Sequence, residues 1–215
     1  MNTRLILMLP LLLLGGCALS GGRSPESHYY VLPAPERPPA MAATATTLGV
    51  VPVRLPRYLD HPQIVTLDRQ GRARLAEFHR WAEPLDIAFT RVLATALAQR
   101  LPHSRVLILP AREVVPRWTL ALQVHELEIL PDRLSLLAEW HLQQGRTVHQ
   151  WHREAIERPL PARDYTAIAT GLSRLGDELA QHIAAALADA LTAAPAAGTP
   201  DSGPGRGPAG TAASP

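Results

Sequence analysis

The sequence predicts an α+β fold: a mixed, mainly antiparallel β-sheet with two amphipathic helices packed on one of its faces. Two long segments repeat apolar residues every three or four positions, which is typical of helices that lie on an apolar surface. Several shorter segments are β-prone, and one of them alternates apolar with polar residues, which predicts a sheet with a single buried face. The two helices would cover that face.

The chain opens with a segment that predicts export. A positive charge at Arg4 precedes the apolar run Leu5–Leu14, which is too short to span a bilayer. The small residues Gly15-Gly16 follow this run. An order of basic, apolar and small residues is typical of a secretory signal peptide, here residues 1–16.

The next residue indicates the type of signal. Leu14-Gly15-Gly16-Cys17 matches the lipobox of bacterial lipoproteins, in which the cysteine becomes the new N-terminus and carries a diacylglycerol and an N-acyl chain. Several acyl chains together hold a protein almost permanently at a membrane. Because Ala18 rather than Asp follows Cys17, we expect the periplasmic face of the outer membrane as the location. The alternative is an ordinary secreted protein in which Cys17, the only cysteine, has no such role.

Composition divides the rest of the chain into three parts. Residues 17–27 hold the lipidated cysteine and a polar tether, and residues 28–191 form one domain of ordinary size that includes a Pro- and Ala-rich loop, Pro33–Thr47. Residues 192–215 lack apolar periodicity, which predicts a disordered tail. The net charge is only +2 and the basic residues are scattered, so we expect no binding of nucleic acid.

The β-prone segments lie on both sides of the first helix. The turn Arg69-Gln70-Gly71 predicts a hairpin, and the last three strands predict a meander. Pro52 predicts an edge position or a bulge, and a change of apolar phase predicts another bulge near His125-Glu126. The predicted strands are His28–Leu32, Leu48–Leu55, Gln63–Asp68, Arg72–Phe78, Val106–Leu109, Trp118–Leu130, Leu134–Leu142 and Thr147–Ile156.

Both predicted helices have a recognisable start. Pro84 suits the first helical position because its missing N–H would have no partner there. Glu83 and Asp86 place negative charge near the same helix N-terminus, so the first helix is predicted over Pro84–Leu101. Asp164 is the expected cap of the second helix, whose apolar stripe continues to the end of the domain.

No residue pattern predicts catalysis. His149 and His152 lie three apart in a predicted strand, which would place them on opposite faces. The segment Gly171-Leu172-Ser173-Arg174-Leu175-Gly176 has one residue too many for a nucleophile elbow and lies within a predicted helix. We therefore expect a protein that is not an enzyme, with no catalytic residue, no metal site and no cofactor besides the acyl chains on Cys17. A periplasmic hydrolase whose site is assembled only in three dimensions is the alternative.

Three motifs together resemble a known family. The chain is similar to the ABC-type transport auxiliary lipoproteins, the PqiC/YmbA-like family, from Cys17 to near Leu187. His61 and His79 stand where Arg or Asp would be more usual. The motifs, in order after the lipobox, are Tyr29-Tyr30-x-Leu32, Pro56-Arg57-Tyr58-Leu59-Asp60-x-Pro62-Gln63-Ile64-Val65 and Glu77-Phe78-x-x-Trp81-Ala82-Glu83-Pro84-Leu85.

The resemblance implies a non-catalytic accessory role. Members of this family are outer-membrane-anchored partners of MCE-type (mammalian cell entry) systems, which move phospholipids or other hydrophobic molecules between the two membranes and maintain the envelope. The implied partners are a periplasmic MCE-domain protein of an inner-membrane transport complex and the outer membrane itself, and a homo-oligomer is conceivable. The rival hypothesis is a structural or assembly lipoprotein of the outer membrane, unconnected with lipid transport.

Two of the motifs also suggest where a partner binds. Arg80, Trp81 and Glu83 could form a partner-facing patch, because Trp and Arg are favoured at the centres of interfaces. Alternatively, Trp81 covers the end of the core, Glu83 caps the helix and Arg80 is solvated. Tyr58 and Leu59 either form a lip that meets the partner or close the edge of the sheet.

Overall fold

The computed structural model describes residues 25–34, 46–160 and 164–193, and within them the predicted α+β fold is confirmed. The signal peptide, Cys17 and nearly all of the tail lie outside the described residues. The strands are β1 (His28–Tyr30), β2 (Thr46–Val50), β3 (Gln63–Leu67), β4 (Ala73–Trp81), β5 (Ser104–Ile108), β6 (Trp118–Ile129), β7 (Arg133–Gln144) and β8 (Thr147–Pro159), and the helices are α1 (Leu85–Arg100) and α2 (Tyr165–Ala193).

The strands divide into two sheets rather than the one sheet expected. β5, β2, β6, β7 and β8 form the larger sheet in that order, and β1, β4 and β3 form the smaller one. β2 pairs in parallel with both β5 and β6, and β1 pairs in parallel with β4. The predicted hairpin of β3 with β4 and the predicted meander of β6, β7 and β8 are antiparallel and contain most of the paired residues.

Pro52 shortens the second strand. β2 ends at Val50 rather than at Leu55, and its backbone returns to β6 only at Arg54, which forms an isolated bridge with Gln123. Because β2 lies between β5 and β6, Pro52 does not lie at an edge, and the bulge is the predicted alternative that holds: four residue steps from Val50 to Arg54 face three from Leu120 to Gln123. The proline interrupts the pairing of an inner strand, as a residue without an N–H must.

The hairpin turn between β3 and β4 is held by one carboxylate. Asp68 accepts the backbone N–H groups of Gln70 at 2.9 Å and Arg72 at 3.0 Å, and it pairs with the Arg72 Nε at 2.7 Å. Gly71 has a φ of 76°, which favours glycine because it has no Cβ. The predicted turn is therefore present with the geometry its residues suggested.

The long antiparallel strands contain two irregularities, of which the sequence predicted one. The register of β6 with β7 shifts between Val124 and Glu126, which confirms the bulge expected near His125-Glu126. A second register shift lies between β7 and β8. His141 pairs with Trp151 and Gln143 pairs with Val148, so β8 has one residue more than β7 between these two pairs. One extra residue reverses the alternation of side chains between the two faces of a strand.

The second irregularity changes the position of two histidines. The ring centroid of His149 lies 4.7 Å from that of Trp118, and the ring centroid of His152 lies 4.0 Å from that of Trp140. Both tryptophans are fully buried in the core. The prediction that the histidines lie on opposite faces is wrong, because the extra residue in β8 turns both imidazoles to the core side.

The two helices pack against each other and cover the core-facing side of the larger sheet. α1 begins at Leu85, and Pro84 is its extended N-cap at ψ 135° rather than its first helical residue. The predicted cap of α2 is present, since Asp164 accepts the N–H of Ala167 at 2.6 Å. α2 ends at Ala193, just beyond the predicted domain boundary at residue 191. Neither helix in the described part of the chain is long and apolar enough to cross a membrane.

Candidate functional site

The second and third sequence motifs meet at an open cleft of about 760 Å³. One wall is formed by residues 51–57 and 59–62, and the other by residues 81–86. We call this the motif cleft. Its floor is apolar and buried, and its rim carries exposed charged and proline residues. The floor residues are Val53, Leu59, Trp81 and Leu85.

Hydrogen bonds join the two walls of the motif cleft to each other. The Trp81 N–H donates to the Pro62 carbonyl at 2.8 Å, which connects the end of β4 to the first wall. The Val53 N–H donates to the Thr90 hydroxyl of α1 at 2.9 Å, and that hydroxyl donates to the Asp86 carbonyl at 2.7 Å. The cleft is therefore a fixed feature of the fold rather than a gap between loops.

The first wall contains a single turn of 3₁₀ helix, Arg57–Leu59. The Leu59 N–H donates to the Pro56 carbonyl and the Asp60 N–H donates to the Arg57 carbonyl, both at 3.0 Å. Pro56 has the extended backbone that suits the residue before such a turn. The turn points Leu59 into the floor of the cleft and leaves the side chain of Arg57 exposed on the rim.

Trp81 lies in the cleft floor and not on an exposed patch. Its side chain is only 6% exposed, and it belongs to the main hydrophobic core. The structure thus has Trp81 covering the end of the core, which is one of the two expected arrangements.

The charged neighbours of Trp81 are placed differently from expectation. Glu83 pairs with Arg91 at 2.5 Å, and α1 has no side-chain cap, so the prediction that Glu83 caps the helix is wrong. Glu83 instead joins the cleft wall to the helix surface, where Arg91 also donates to the Leu32 carbonyl at 3.2 Å. Arg80 is half-buried, its Nε has no hydrogen-bond partner, and it does not line the cleft.

Tyr58 closes the edge of β6. Its hydroxyl donates to the Leu127 carbonyl at 3.1 Å and accepts the Leu127 N–H at 3.3 Å. Burial raises the pKa of the Tyr58 phenol above its ordinary value, so the group stays protonated and able to donate. Of the two expected arrangements for this segment, edge closure is therefore the one the contacts support for Tyr58.

The rim of the motif cleft is the part that sequence reasoning missed. Five exposed charged or titratable side chains there form no hydrogen bond or ion pair with any other described residue. Two of them lie outside the family motifs: Arg54, at the bridge after β2, has no local signal, whereas Asp86, in the first turn of α1, is recognised only as a charge near the helix N-terminus. The five residues are Arg54, Arg57, Asp60, His61 and Asp86.

The titratable residues that line the cleft are one histidine, three carboxylates and two arginines. The lining includes no Ser, Thr, Cys, Tyr or Lys that could act as a nucleophile. A second, shallower cavity of about 460 Å³ between α1 and α2 contains the buried Ser173, but its lining has no histidine to activate that hydroxyl. Among the described residues, no group of three or more His, Cys, Asp or Glu side chains could hold a metal ion.

The comparisons with known proteins agree with the motifs. The family of ABC-type transport auxiliary lipoprotein components matches residues 30–184, whereas no curated protein matches the sequence.

Two of the solved structures that resemble the fold cover most of this chain. One is an uncharacterised protein with 20% identity and a TM-score of 0.63, over 76% of this chain and 99% of that one. The other, from Xanthomonas campestris, has 16% identity and a TM-score of 0.62, over 77% of this chain and 98% of that one. Similarity at this level of identity concerns the fold alone. The family match over most of the domain is the stronger finding, and by it the chain belongs to the ABC-type transport auxiliary lipoprotein components.

Proposed function

We propose that this protein is the non-catalytic accessory subunit of an MCE-type ABC transport system, and that it binds the system's periplasmic MCE-domain protein at the motif cleft. Such a system moves phospholipids or other hydrophobic molecules between the inner and outer membranes and so maintains the envelope. The observation that carries the proposal is that two motifs typical of the family converge on one open cleft.

The chemistry of the cleft favours a protein partner. An apolar floor surrounded by a charged rim has the arrangement of a protein interface, in which a central anchor is buried and polar groups surround it. The rim carries both signs of charge, with Arg54 and Arg57 opposite in sign to Asp60 and Asp86. A mixed rim matches a polypeptide with several side chains better than it matches a single anionic headgroup.

The second part of the proposal is a lipid anchor at Cys17. We propose that this residue carries a diacylglycerol and an N-acyl chain and holds the domain at the periplasmic face of the outer membrane. A tether of residues 17–27 can extend at most about 40 Å. The domain would therefore remain close to the outer membrane while the motif cleft binds the component that arrives from the inner membrane.

The test is recovery of the tagged, full-length protein from its own envelope in mild detergent, with partners identified by mass spectrometry. Arg57→Glu is run beside Arg74→Glu, which makes the same charge change at an exposed hairpin residue outside the cleft. We expect to recover an MCE-domain protein together with the wild type and with Arg74→Glu. We expect at least a tenfold loss with Arg57→Glu, because reversing a rim charge replaces an attraction to the partner by a repulsion, and a loss of about 1.4 kcal/mol is enough for a tenfold change.

Other recoveries would change the conclusion. Barrel-assembly or cell-wall proteins in place of an MCE-domain protein would favour the structural or assembly lipoprotein. Equal recovery of the MCE-domain protein with both Arg variants would retain the transport role and exclude the motif cleft as the contact. Thermal unfolding of each purified variant shows whether a loss of binding reflects a loss of folding.

A further inference from the structure

The larger sheet ends in a long strand with one unpaired edge. β8 has 13 residues and is the last strand of its sheet, so no described strand pairs with its second side. Its register with β7 is uninterrupted from Trp151 to Pro159. A long, regular strand edge offers unpaired N–H and C=O groups and is a template for another strand. Most strands are only about five or six residues long, which makes this edge unusually extensive.

The outer face of β8 carries two opposite charges in a symmetric arrangement. Arg153 and Glu157 lie two residues on either side of Ala155, and each side chain is 64% exposed. Their partners within the chain are distant, with Arg153 at 3.8 Å from Glu139 and Glu157 at 3.6 Å from Arg133. Exposed pairs at such distances contribute little, so both charges remain available to a second strand.

This order of charges is complementary to itself. In an antiparallel pair of β8 strands with a two-fold axis at Ala155, residues equally far from the axis face each other. Arg153 would then lie opposite Glu157 of the second copy, and Glu157 opposite Arg153 of the second copy. Edge strands commonly carry charges of one sign, which repel a second copy. Here each charge would face one of the opposite sign, so the order favours pairing.

The remaining side chains fit the same register. The small side chain of Ala155 lies at the axis, and Trp151, which is 61% exposed, would face Pro159 of the second copy, where the ladder would end because Pro159 has no N–H to donate. On the core side, Arg158 already pairs with Glu178 at 2.6 Å, and His152 already stacks on Trp140. That side therefore brings no unpaired charge to the contact.

We infer that β8 is a homotypic interface, in which two copies of this chain pair antiparallel about Ala155 and join their larger sheets into one. The occupant is a second copy because the charge order of the strand complements itself. A two-fold contact of this kind is closed, so it covers the edge without permitting growth into a fibre. The inference does not depend on the proposed transport role.

Disulfide trapping tests the contact in the full-length protein in its envelope. In an antiparallel pair, Cα atoms facing each other across the axis lie about 4.5–5.5 Å apart, which is within the range a disulfide bridges. Ala155→Cys introduces a thiol at the axis, and the wild type, with Cys17 alone, gives the background. Val115→Cys provides a control for random collision, because Val115 is 93% exposed and lies outside β8. We expect several-fold more covalent dimer from Ala155→Cys than from Val115→Cys on mild oxidation.

Charge reversal then tests the register. In the Ala155→Cys background, Arg153→Glu and Glu157→Arg should each reduce the dimer several-fold, because like charges would face each other. The double variant should restore it. Both residues are exposed, and circular dichroism of each variant verifies the fold. A dimer yield no higher than with Val115→Cys, cross-linking to a different protein, or failure of the double variant to restore the dimer would overturn the inference.

Discussion

The hydroxyl of Tyr58 hydrogen-bonds backbone groups of β6 that a neighbouring strand would otherwise pair with. Beyond the bridge of Arg54 with Gln123, no described strand pairs with β6 on that side. The Tyr58 hydroxyl bonds both the N–H and the C=O of Leu127, just past the bulge. A single side chain thus satisfies backbone groups that would otherwise be unpaired, and it holds the first wall of the motif cleft against the larger sheet.

Tyr58→Phe should reduce the free energy of unfolding by about 1–2 kcal/mol, because it leaves both backbone groups of Leu127 without this partner. Burial raises the Tyr58 pKa in the folded state, so the neutral phenol is favoured there. Its contribution should be complete below about pH 10, the value for an unfolded tyrosine, and be lost as the pH rises through the folded pKa. Urea unfolding measures the difference. Tyr29→Phe is the control, since Tyr29 is 65% exposed, and an equal loss there would contradict the assignment.

Asp68 also stabilises the fold in a pH-dependent way, but its contribution is lost at low pH rather than at high pH. Hydrogen bonds from the backbone N–H of Arg72, and then from its side chain and from Gln70, lower the pKa of the Asp68 carboxyl. Its stabilisation should be complete above about pH 3.9, the value in an unfolded chain, and be lost as the pH falls through the lower folded pKa.

Asp68→Asn should therefore lower the melting temperature at pH 7 and have a smaller effect at about pH 3, below the pKa of an unfolded aspartate. Melting curves followed by circular dichroism at the two pH values measure this, with Asp60→Asn as a control at an exposed carboxylate without a described partner. An effect of Asp68→Asn that is the same at both pH values would contradict the role of the carboxylate charge in the turn.

At the scale of elements, two glycines of α2 have a packing role. A Cβ at Gly176 would lie 3.2 Å from the Val92 Cγ1 of α1, and a Cβ at Gly171 would lie 2.4 Å from the Leu134 Cδ1 of β7. Both neighbours are fully buried. The glycines that made this segment resemble a nucleophile elbow are therefore needed because α2 approaches α1 and the sheet closely.

Gly176→Val should reduce the free energy of unfolding by about 1–3 kcal/mol, since the added methyl groups must displace α1 from a packed core. Valine favours the helix more than glycine does, so a loss would indicate packing and not helix propensity. The matched control is Ala185→Val, on the exposed side of the same helix, with an expected change of about 0.5 kcal/mol. Chemical denaturation compares the two, and equal effects would contradict the packing role.

Local patterns predicted the elements well, and the errors have identifiable physical causes. The hairpin, the meander, the cap at Asp164 and the bulge near Glu126 depend on neighbouring residues, so the sequence contains their signals. The parallel pairing of β1 with β4 joins residues far apart in the chain and leaves no local pattern, which is why the second sheet was missed. Likewise, Glu83 is an acidic residue just before the helix, which is typical of a helix cap, but it forms an ion pair with Arg91 instead.

For the whole molecule, the sequence motifs located the walls of the cleft but not the cleft itself. Partner contact is one of the two arrangements that the sequence leaves open for the segments around Leu59 and Trp81, and the fold brings both segments into one floor. Trp81 is buried because the core behind it needs a cover, a requirement that only the assembled layers create. The rim charge at Arg54 comes from another part of the chain, and the charge at Asp86 directly follows the third motif; only the assembled fold places both on one rim.

The anchor at Cys17 is a prediction for the whole molecule. Cys17→Ser should release the protein from the membrane fraction, because the variant lacks the thiol that the lipobox predicts to be acylated. Fractionation of cell envelopes, with mass spectrometry of the wild-type N-terminal peptide, measures the change. A wild-type peptide that carries no lipid, or a Cys17→Ser protein that stays fully in the membrane fraction, would contradict lipidation as the anchor.

The most direct test of the central claim is site-specific photo-cross-linking in living cells. A photoreactive amino acid replaces His61 on the rim of the motif cleft in one variant and Gln70 at the hairpin tip in another, both of which are exposed. We expect that the probe at position 61 captures a periplasmic MCE-domain protein and that the probe at position 70 does not. Capture of that protein from position 70 alone, or of only barrel-assembly or cell-wall proteins from position 61, would contradict this expectation.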